Sequence, residues 1–456
     1  MENMSTTHDS LTQAPTATGA EHAATSGPKQ YYRFKPWNIG RYLIWTLFAL
    51  ALILAPHIFR SSLALTMASQ IGYLIIICLS YNILLGQGGM LSFGHAVYTG
   101  LGSFLAIHAM NLAGKGGWPI PLVLIPVVGG LAGMFFAILF GFVTTKKSGT
   151  TFAMITLGIG ELVAAMSLMF PTFFGGEGGV TTDRVYGSFL GFNFGSQLQV
   201  YYLIAVYCFV CTALMYAFTG TPLGRILNAV RDNPERVEFI GYNTQRVRYF
   251  AFIIAGFFAG VGGGLAAINF EIVNAADSLN AIRSGGYLLF TFLGGATFFF
   301  GPIIGAVLLV FASVLLSELS KAWQLYFGLV FVFMVMFAPG GIASLIMMNL
   351  RVAKFGKFNR FWGLYGAFAL AAIPLIVGAA AVIEMIYHIQ LNSALGPRLN
   401  FFGVALDTST VASWAGAAAL LLIGLAAVEV IRRRFVKVWG KAQEEIEAEI
   451  KRREMA

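Results

Sequence analysis

The sequence predicts an all-α polytopic membrane protein of about twelve membrane-spanning helices, about ten in a core and two in a C-terminal extension. Two features of composition carry this. Hydrophobic residues make up 57% of the 456 residues and charged residues only 11%, against about 25% charged in an ordinary soluble domain. Apolar runs of roughly 20 residues recur along the chain, the length a helix needs to cross a hydrocarbon core with all its backbone polar groups satisfied internally. The 53 glycines and 41 phenylalanines agree, since small residues let membrane helices approach closely and aromatic bulk fills gaps or faces lipid.

Residues Met1 to Gln30 are rich in Ser, Thr, Ala, Gly and Pro without an apolar run, so residues 1–40 are expected to form a disordered cytoplasmic tail with no cleavable signal segment. Expected spans follow at Arg41–Phe59, Thr66–Leu85, Met90–Asn111, Ile120–Val143, Thr151–Phe170 and Leu198–Phe218. After a charged loop come Tyr249–Phe270, Ser284–Phe300, Pro302–Leu319, Ala322–Ile346, Phe361–Glu384 and Val411–Ile431. Glycine-rich sequence at Gly86 and Gly301 marks places where a helix breaks or re-enters. This divides the chain into a transmembrane domain over 41–350 containing a cytoplasmic loop at 220–248, a two-span extension over 351–431, and a charged cytoplasmic tail over 432–456.

The charges are an independent check. With the amino terminus inside, Arg33, Lys35 and Arg41, then Lys146 and Lys147, the 225–248 arginines, Arg351 to Arg360, and Arg432 to Arg434 all fall on one side, as the positive-inside rule requires. Both termini are therefore expected in the cytoplasm. The net charge of +9 is accounted for by these loops, which lack a basic-aromatic pattern, so no nucleic-acid partner is expected. Cys78, Cys208 and Cys211 lie in apolar segments; Cys208 and Cys211 have C-x-x-C spacing, but without a second pair or a local histidine they read as small buried hydrophobes, with no metal site.

Polar chemistry concentrates in a few places. Asn82, Gln87, Ser92 and His95 surround a glycine-rich break between two apolar runs, where amides, a hydroxyl and an imidazole either contact a zwitterionic solute or satisfy helix ends. Glu161 sits inside an apolar span, where a carboxylate calls for a partner, a water-filled position or a solute. Gly175 to Val180 reads as a flexible outer loop. The stretch Gly220 to Asn243 is too long for a simple connector: Leu223, Ile226, Leu227 and Val230 repeat at helical spacing, and Asn233 with Pro234 restarts a second short helix that ends near Gly241. Two short amphipathic helices under a membrane domain form a docking surface.

On these residues the chain resembles the permease family of branched-chain amino-acid ABC transporters, the LivM-type half of a paired membrane unit, with the urea-transporter permeases as close relatives. The resemblance runs from about Gln70 to Leu345. It includes the Asn82–His95 segment, Gly149 to Gly158, the Thr221–Gly241 loop, Ala251-Phe252, Gly294-Gly295 with Gly301-Pro302 and Gly305, and Ala338 to Gly341. ABC permeases carry a loop of the form Glu-Ala-Ala, three residues, then Gly; Glu235 and Gly241 match that spacing, while Arg236 and Val237 replace the alanines.

With this resemblance, the coupling residues are expected to be Arg231, Asp232, Glu235 and Gly241, and the polar residues already singled out, Asn82, Gln87, Ser92, His95 and Glu161, are the candidates for a substrate path. The resemblance also implies two ATP-binding subunits, a second related permease, an extracytoplasmic solute-binding protein, and residence in the lipid of a bacterial inner membrane. No phosphate-loop motif of the form G-x-x-x-x-G-K-[ST] occurs, so ATP is expected on partner subunits, with no catalytic residue, metal or cofactor on this chain. A rival class is an ion-coupled secondary transporter with Glu161 as the ion-linked carboxylate. A membrane enzyme lacks any nucleophile–base constellation. Leucine, isoleucine and valine are the family's default cargo; urea, amides and other small carboxylates are the alternatives.

Overall fold

The computed structural model describes residues 39–59, 61–117, 120–187, 193–391, 396–401 and 404–455. Most of the tail expected over residues 1–40 lies outside the described residues; Ile39 and Gly40 already belong to the first helix. The chain divides into two units, Met1–Phe48 and Ala49–Ala456. Of the first, the described part is the beginning of α1 (Ile39–Ile58); the packing below is that of the second.

There, α2 (Ser62–Asn82) starts at Ser61, whose hydroxyl accepts from the N–H of Ala64 at 3.2 Å, and runs into a π-helical turn at Ile83–Gln87. Residues 88–94 leave the helix, and α3 (His95–Gly114) begins at His95 rather than at Met90. Next come α4 (Ile125–Thr144), α5 (Gly149–Met169) and the short α6 (Pro171–Phe174). Strand β1 (Val180–Thr181) precedes α7 (Gln197–Gly220). Then follow α8 (Pro222–Asp232), α9 (Pro234–Phe239) and α10 (Thr244–Phe270).

Strand β2 (Ile272–Val273), α11 (Ala275–Ser278) and α12 (Ala281–Gly294) lead to α13 (Gly301–Val310), a π-helical stretch at Phe311–Leu316 and α14 (Ser317–Leu319). The rest comprises α15 (Trp323–Phe337), α16 (Gly341–Lys354), α17 (Trp362–Leu391), a hairpin of β3 (Arg398–Phe401) and β4 (Val404–Asp407), and α18 (Val411–Met455).

This is an all-α polytopic membrane protein. Each expected span falls on a helix, yet among the described residues nine helices are long and apolar enough to cross a membrane, ten if α15 and α16, bent by 48°, form one broken span. Of the other two expected spans, α1 carries the apolar stretch Tyr42–Ile58, and α12, with 14 residues, reaches only about 21 Å at the helical rise, short of a core about 30 Å thick.

Helix α10 is the most enclosed, packed against α4, α3 and α2. Glycine makes its crossing with α4 possible: a Cβ on Gly260 would collide with the carbonyl of Gly129, and one on Gly133 with the carbonyl of Gly256. Association in lipid rests on such close backbone approach, because lipid tails are as apolar as leucine and give no hydrophobic drive between helices.

Contacts sort the helix termini into two ends. At one, the α2 terminus, the α4–α5 turn and α8–α9 meet, as shown by Asn228 donating to Gln87 at 2.8 Å and by a cleft shared between Lys146 and Gly241. At the other, Asn111 donates to the carbonyl of Thr181 at 3.0 Å, and β1 pairs antiparallel with β2, Val180 opposite Val273. That pairing, with Asn274 donating to the Glu177 carbonyl at 3.0 Å, holds the Gly175–Val180 stretch as a docked turn instead of the flexible loop its glycines suggest.

In the extension, α17 and α18 pack closely, Gly378 against the Leu421 backbone and Gly424 against Leu375. Glu384 of α17 accepts hydrogen bonds from Ser320 and, at 3.0 Å, from Tyr326, tying the pair to the core. At 45 residues, α18 is about 68 Å long, more than twice the hydrocarbon thickness. Its polar end folds against the α16–α17 turn through Val352, Phe361, Ala442 and Ile446, with Lys357 Nζ 2.6 Å from Glu445.

Candidate transport site and coupling surface

The glycine-rich break is a buried joint closed by several hydrogen bonds. Tyr81 donates its hydroxyl hydrogen to the carbonyl of Ser92 at 2.8 Å and accepts from the Ser92 N–H at 3.2 Å, so one side chain of α2 closes the loop that follows it. The Ser80 hydroxyl donates to the Ile77 carbonyl at 2.7 Å and lies 2.9 Å from His95 Nε2. Having given its one hydrogen to Ile77, Ser80 can only accept, which places the imidazole hydrogen on Nε2. Thr156 of α5 accepts from the Phe93 N–H at 3.1 Å, and Ser284 of α12 from the Ala96 N–H at 2.9 Å. Asn82 is buried against Gly86; its Oδ1, the Ser92 hydroxyl and His95 Nδ1 have no hydrogen-bond partner among the described residues.

Next to this joint lies α8. Arg231 donates through Nη1 to the Gly86 carbonyl, inside the π-helical turn, while its Nε donates to Asp232 Oδ1 at 2.9 Å. Asp232 thus orients the guanidinium that grips the turn. Asn228, one turn earlier on α8, donates to Gln87 Oε1. The two short helices form as their caps direct: Thr221 accepts from the Gly224 N–H at 3.2 Å and Asn233 from the Arg236 N–H at 3.0 Å, with Pro222 and Pro234 in the first turns. Leu227, Val230 and Val237 are buried, whereas Glu235 is exposed and Phe239 is 89% exposed. Gly241 closes α9 at φ +90°, in the left-handed region that favours glycine. Beside it opens a basic cleft of about 690 Å³ lined by Lys146, Lys147, Glu238 and Arg248.

Toward the opposite end is a cavity of about 470 Å³ between α2, α3, α10, α12 and α13, within the size range of small-molecule sites. Its floor includes Thr99 and Ile77; Thr99 stands one turn along α3 from His95. Arg283 and Asp277 line it, Nη1 to Oδ2 at 3.7 Å, with Arg283 Nε donating to the Tyr287 hydroxyl at 3.3 Å. The chain reaches this depth by descending. Residue Thr181, paired with Ile272, meets Asn111, whereas Ser278 and Leu279 lie against Gly100, about 16 Å lower along α3 at the helical rise. Helix α12 therefore starts inside the bundle, as the discontinuous helices of transporters do.

The family model described as "Branched-chain amino acid transport system / permease component" matches residues 63–339, from α2 to the α15–α16 bend. The chain belongs to this family. It is 25% identical over 300 residues to the high-affinity branched-chain amino acid transport system permease protein LivM of Escherichia coli (strain K12), covering 61% of this chain and 69% of that protein. Against the protein of the same name from Salmonella typhimurium it is 26% identical over 301 residues, with the same coverage. No solved structure matches it significantly.

In this member of the family, the residues expected along a substrate path fall in separate places. Asn82, Gln87, Ser92 and His95 gather at the joint, and none of them lines the cavity. Glu161 is exposed on α5, also outside the cavity. Arg231 reaches the joint directly and Asp232 only through Arg231, while Glu235 and Gly241 stay on the open surface at α9. Sequence reasoning passed over Arg283, Asp277 and Tyr287. One signal was available: Arg283 is a basic residue directly before an apolar run, in a loop that the expected topology assigns to the side with few basic residues.

Proposed function

We propose that the chain is the transmembrane permease subunit of a binding-protein-dependent ABC importer of branched-chain amino acids, driven by ATP through alternating access. The observation that supports this best is the double connection from α8 to the π-helical turn, Arg231 to Gly86 and Asn228 to Gln87. A partner that moves α8–α9 pulls on the point where α2 breaks. On this reading Arg231 and Asp232 transmit the motion, and Glu235 and Gly241 meet the partner beside the exposed Phe239.

The importer is completed by two ATP-binding subunits, a second related permease and an extracytoplasmic solute-binding protein. ATP sits on the ATP-binding subunits, this chain holds no cofactor, and lipid surrounds it. We assign α8–α9 and both termini to the cytoplasmic side of a bacterial inner membrane, because Lys146, Lys147, Arg225 to Arg248 and Arg351 to Arg360 all fall there. The transmembrane domain then occupies 41–350, its coupling loop 220–248, the extension 351–431 and the charged tail 432–456. Coupling requires the two membrane states to bind the ATPase surfaces with different free energies, since equal affinity shifts no equilibrium.

The test is radiolabelled L-leucine uptake into proteoliposomes holding the four kinds of subunit, with and without ATP. ATP-dependent uptake that Glu235→Ala and Gly241→Pro abolish in intact complexes supports the proposal. Uptake by this chain alone, collapsed by an ionophore, overturns it in favour of an ion-coupled carrier and makes Glu161 the residue to change. ATP-driven uptake of urea or an amide instead of leucine keeps the mechanism and replaces the cargo.

A further inference from the structure

The cavity under β2 and α11 carries one cationic and one anionic side chain beside an aliphatic wall. Arg283 stands in the first turn of α12, at the end of a helix whose own dipole opposes a cation. Its position therefore does nothing for that helix electrostatically. Burying part of a guanidinium at depth is costly unless it meets an anion. Asp277 supplies one only loosely: the pair is separated by 3.7 Å, and the aspartate side chain is 70% exposed. The Tyr287 hydroxyl accepts from Nε, which fixes the plane of the guanidinium and leaves donors on its terminal nitrogens. Facing these groups, Leu74 and Ile77 of α2 and Leu309 of α13 make an apolar surface.

We infer that this cavity is the site where the permease receives the free amino acid, with the substrate's α-carboxylate on Arg283, its α-ammonium on Asp277 and its aliphatic side chain against Leu74, Ile77 and Leu309. The inference rests on the proposed function and deepens it. A ligand of opposite charges a few ångströms apart fits between the two side chains and replaces their loose contact with two charge-assisted ones. Urea and simple amides carry neither charge, so they can hydrogen-bond to the pair but make no charge–charge contact with it. Below the ligand, Ile77 and Thr99 separate the cavity floor from Ser80 and His95 by one helical turn, about 5.4 Å. The ligand's next position on an inward path is therefore the joint that α8 grips.

The test uses the whole reconstituted transporter and reads ATP hydrolysed per L-leucine transported. It also reads protection of a cysteine introduced at Gln324, in the cavity lining, from a thiol reagent. In the parent complex, L-leucine should slow labelling of Gln324→Cys, while 4-methylpentanoate and isoamylamine, each lacking one charge, should not. Arg283→Gln and Asp277→Asn should raise the ATP-to-leucine ratio about tenfold, the size expected for one lost charge-assisted contact, and should remove the protection. Arg283→Lys should keep part of both, which a merely misfolded site would not do. Unchanged ratio and protection in both variants, in a complex that imports leucine, overturns the site while leaving the proposed function standing. Absence of ATP-driven leucine import in the parent complex overturns the proposed function itself, and the site with it.

Discussion

Arg231 of α8 donates a hydrogen bond to the backbone carbonyl of Gly86, so α8 holds the end of α2 by main chain, at a residue already inside a π-helical turn. A carbonyl in such a turn is poorly committed to the helix ladder and is open to an external donor. Replacing Arg231 by alanine removes the charge-assisted bond to Gly86, a contribution of about 1.5–3 kcal/mol, together with the exposed pair with Asp232. The expected result is an assembled complex that still hydrolyses ATP but imports leucine about tenfold less per ATP, measured in proteoliposomes.

Phe239 presents an exposed phenyl ring on a helix where Val237 is buried. A large apolar side chain on that surface suits a docking contact. Phe239→Asp should leave the chain's own thermal midpoint in detergent nearly unchanged, as surface substitutions usually do, while the ATP-binding subunits no longer co-purify.

The crossing of α4 and α10 should tolerate no added methyl groups. Gly260→Val forces atoms into the Gly129 carbonyl, and overpacking of this kind costs about 1–3 kcal/mol or more. On α5, a methyl group added at Gly158 would meet nothing within 4 Å; Gly158→Ala should be neutral or raise stability by about 0.5–1 kcal/mol, the usual helix gain. Denaturation in mixed micelles separates the two.

Ser80→Ala leaves His95 Nε2 without its 2.9 Å partner inside a buried joint. An unsatisfied buried donor costs about 1–3 kcal/mol, so the variant should unfold at lower denaturant than the parent, and Ser80→Thr, which restores a hydroxyl, should recover part of the loss.

At the polar end of α18, beyond its apolar stretch, Lys357 and Arg360 hold the Glu445 carboxyl below its ordinary value of 4.5. A depressed carboxylate contributes stability that is complete above its unfolded value and is lost as pH falls through its lower folded value. The helix end should therefore stay docked from neutral pH down to the ordinary carboxylate range and release only below it. Emission from Trp439, packed on Phe361 and Phe435, reports the release. Glu445→Lys should expose the segment to protease already at neutral pH.

The sequence by itself determined the class, most of the helices and the two short helices α8 and α9. Apolar length and the scarcity of charge admit few folds in lipid, and Thr221, Pro222, Asn233, Pro234 and Gly241 mark the ends of α8 and α9 through chemistry that acts within a few residues. The glycine-rich break after Asn82 was legible for the same reason. Its role as a joint was not, because Arg231, Asn228, Thr156 and Ser284 reach it from distant parts of the chain. Nor could an apolar run show where α12 begins: composition measures how greasy a segment is, whereas the depth of its first residue depends on the chain before it. Only the tertiary structure, by lowering Ser278 and Leu279 onto Gly100, brought Asp277 and Arg283 to the lining of one cavity, because the depth of α12 is set by packing between segments distant in the chain.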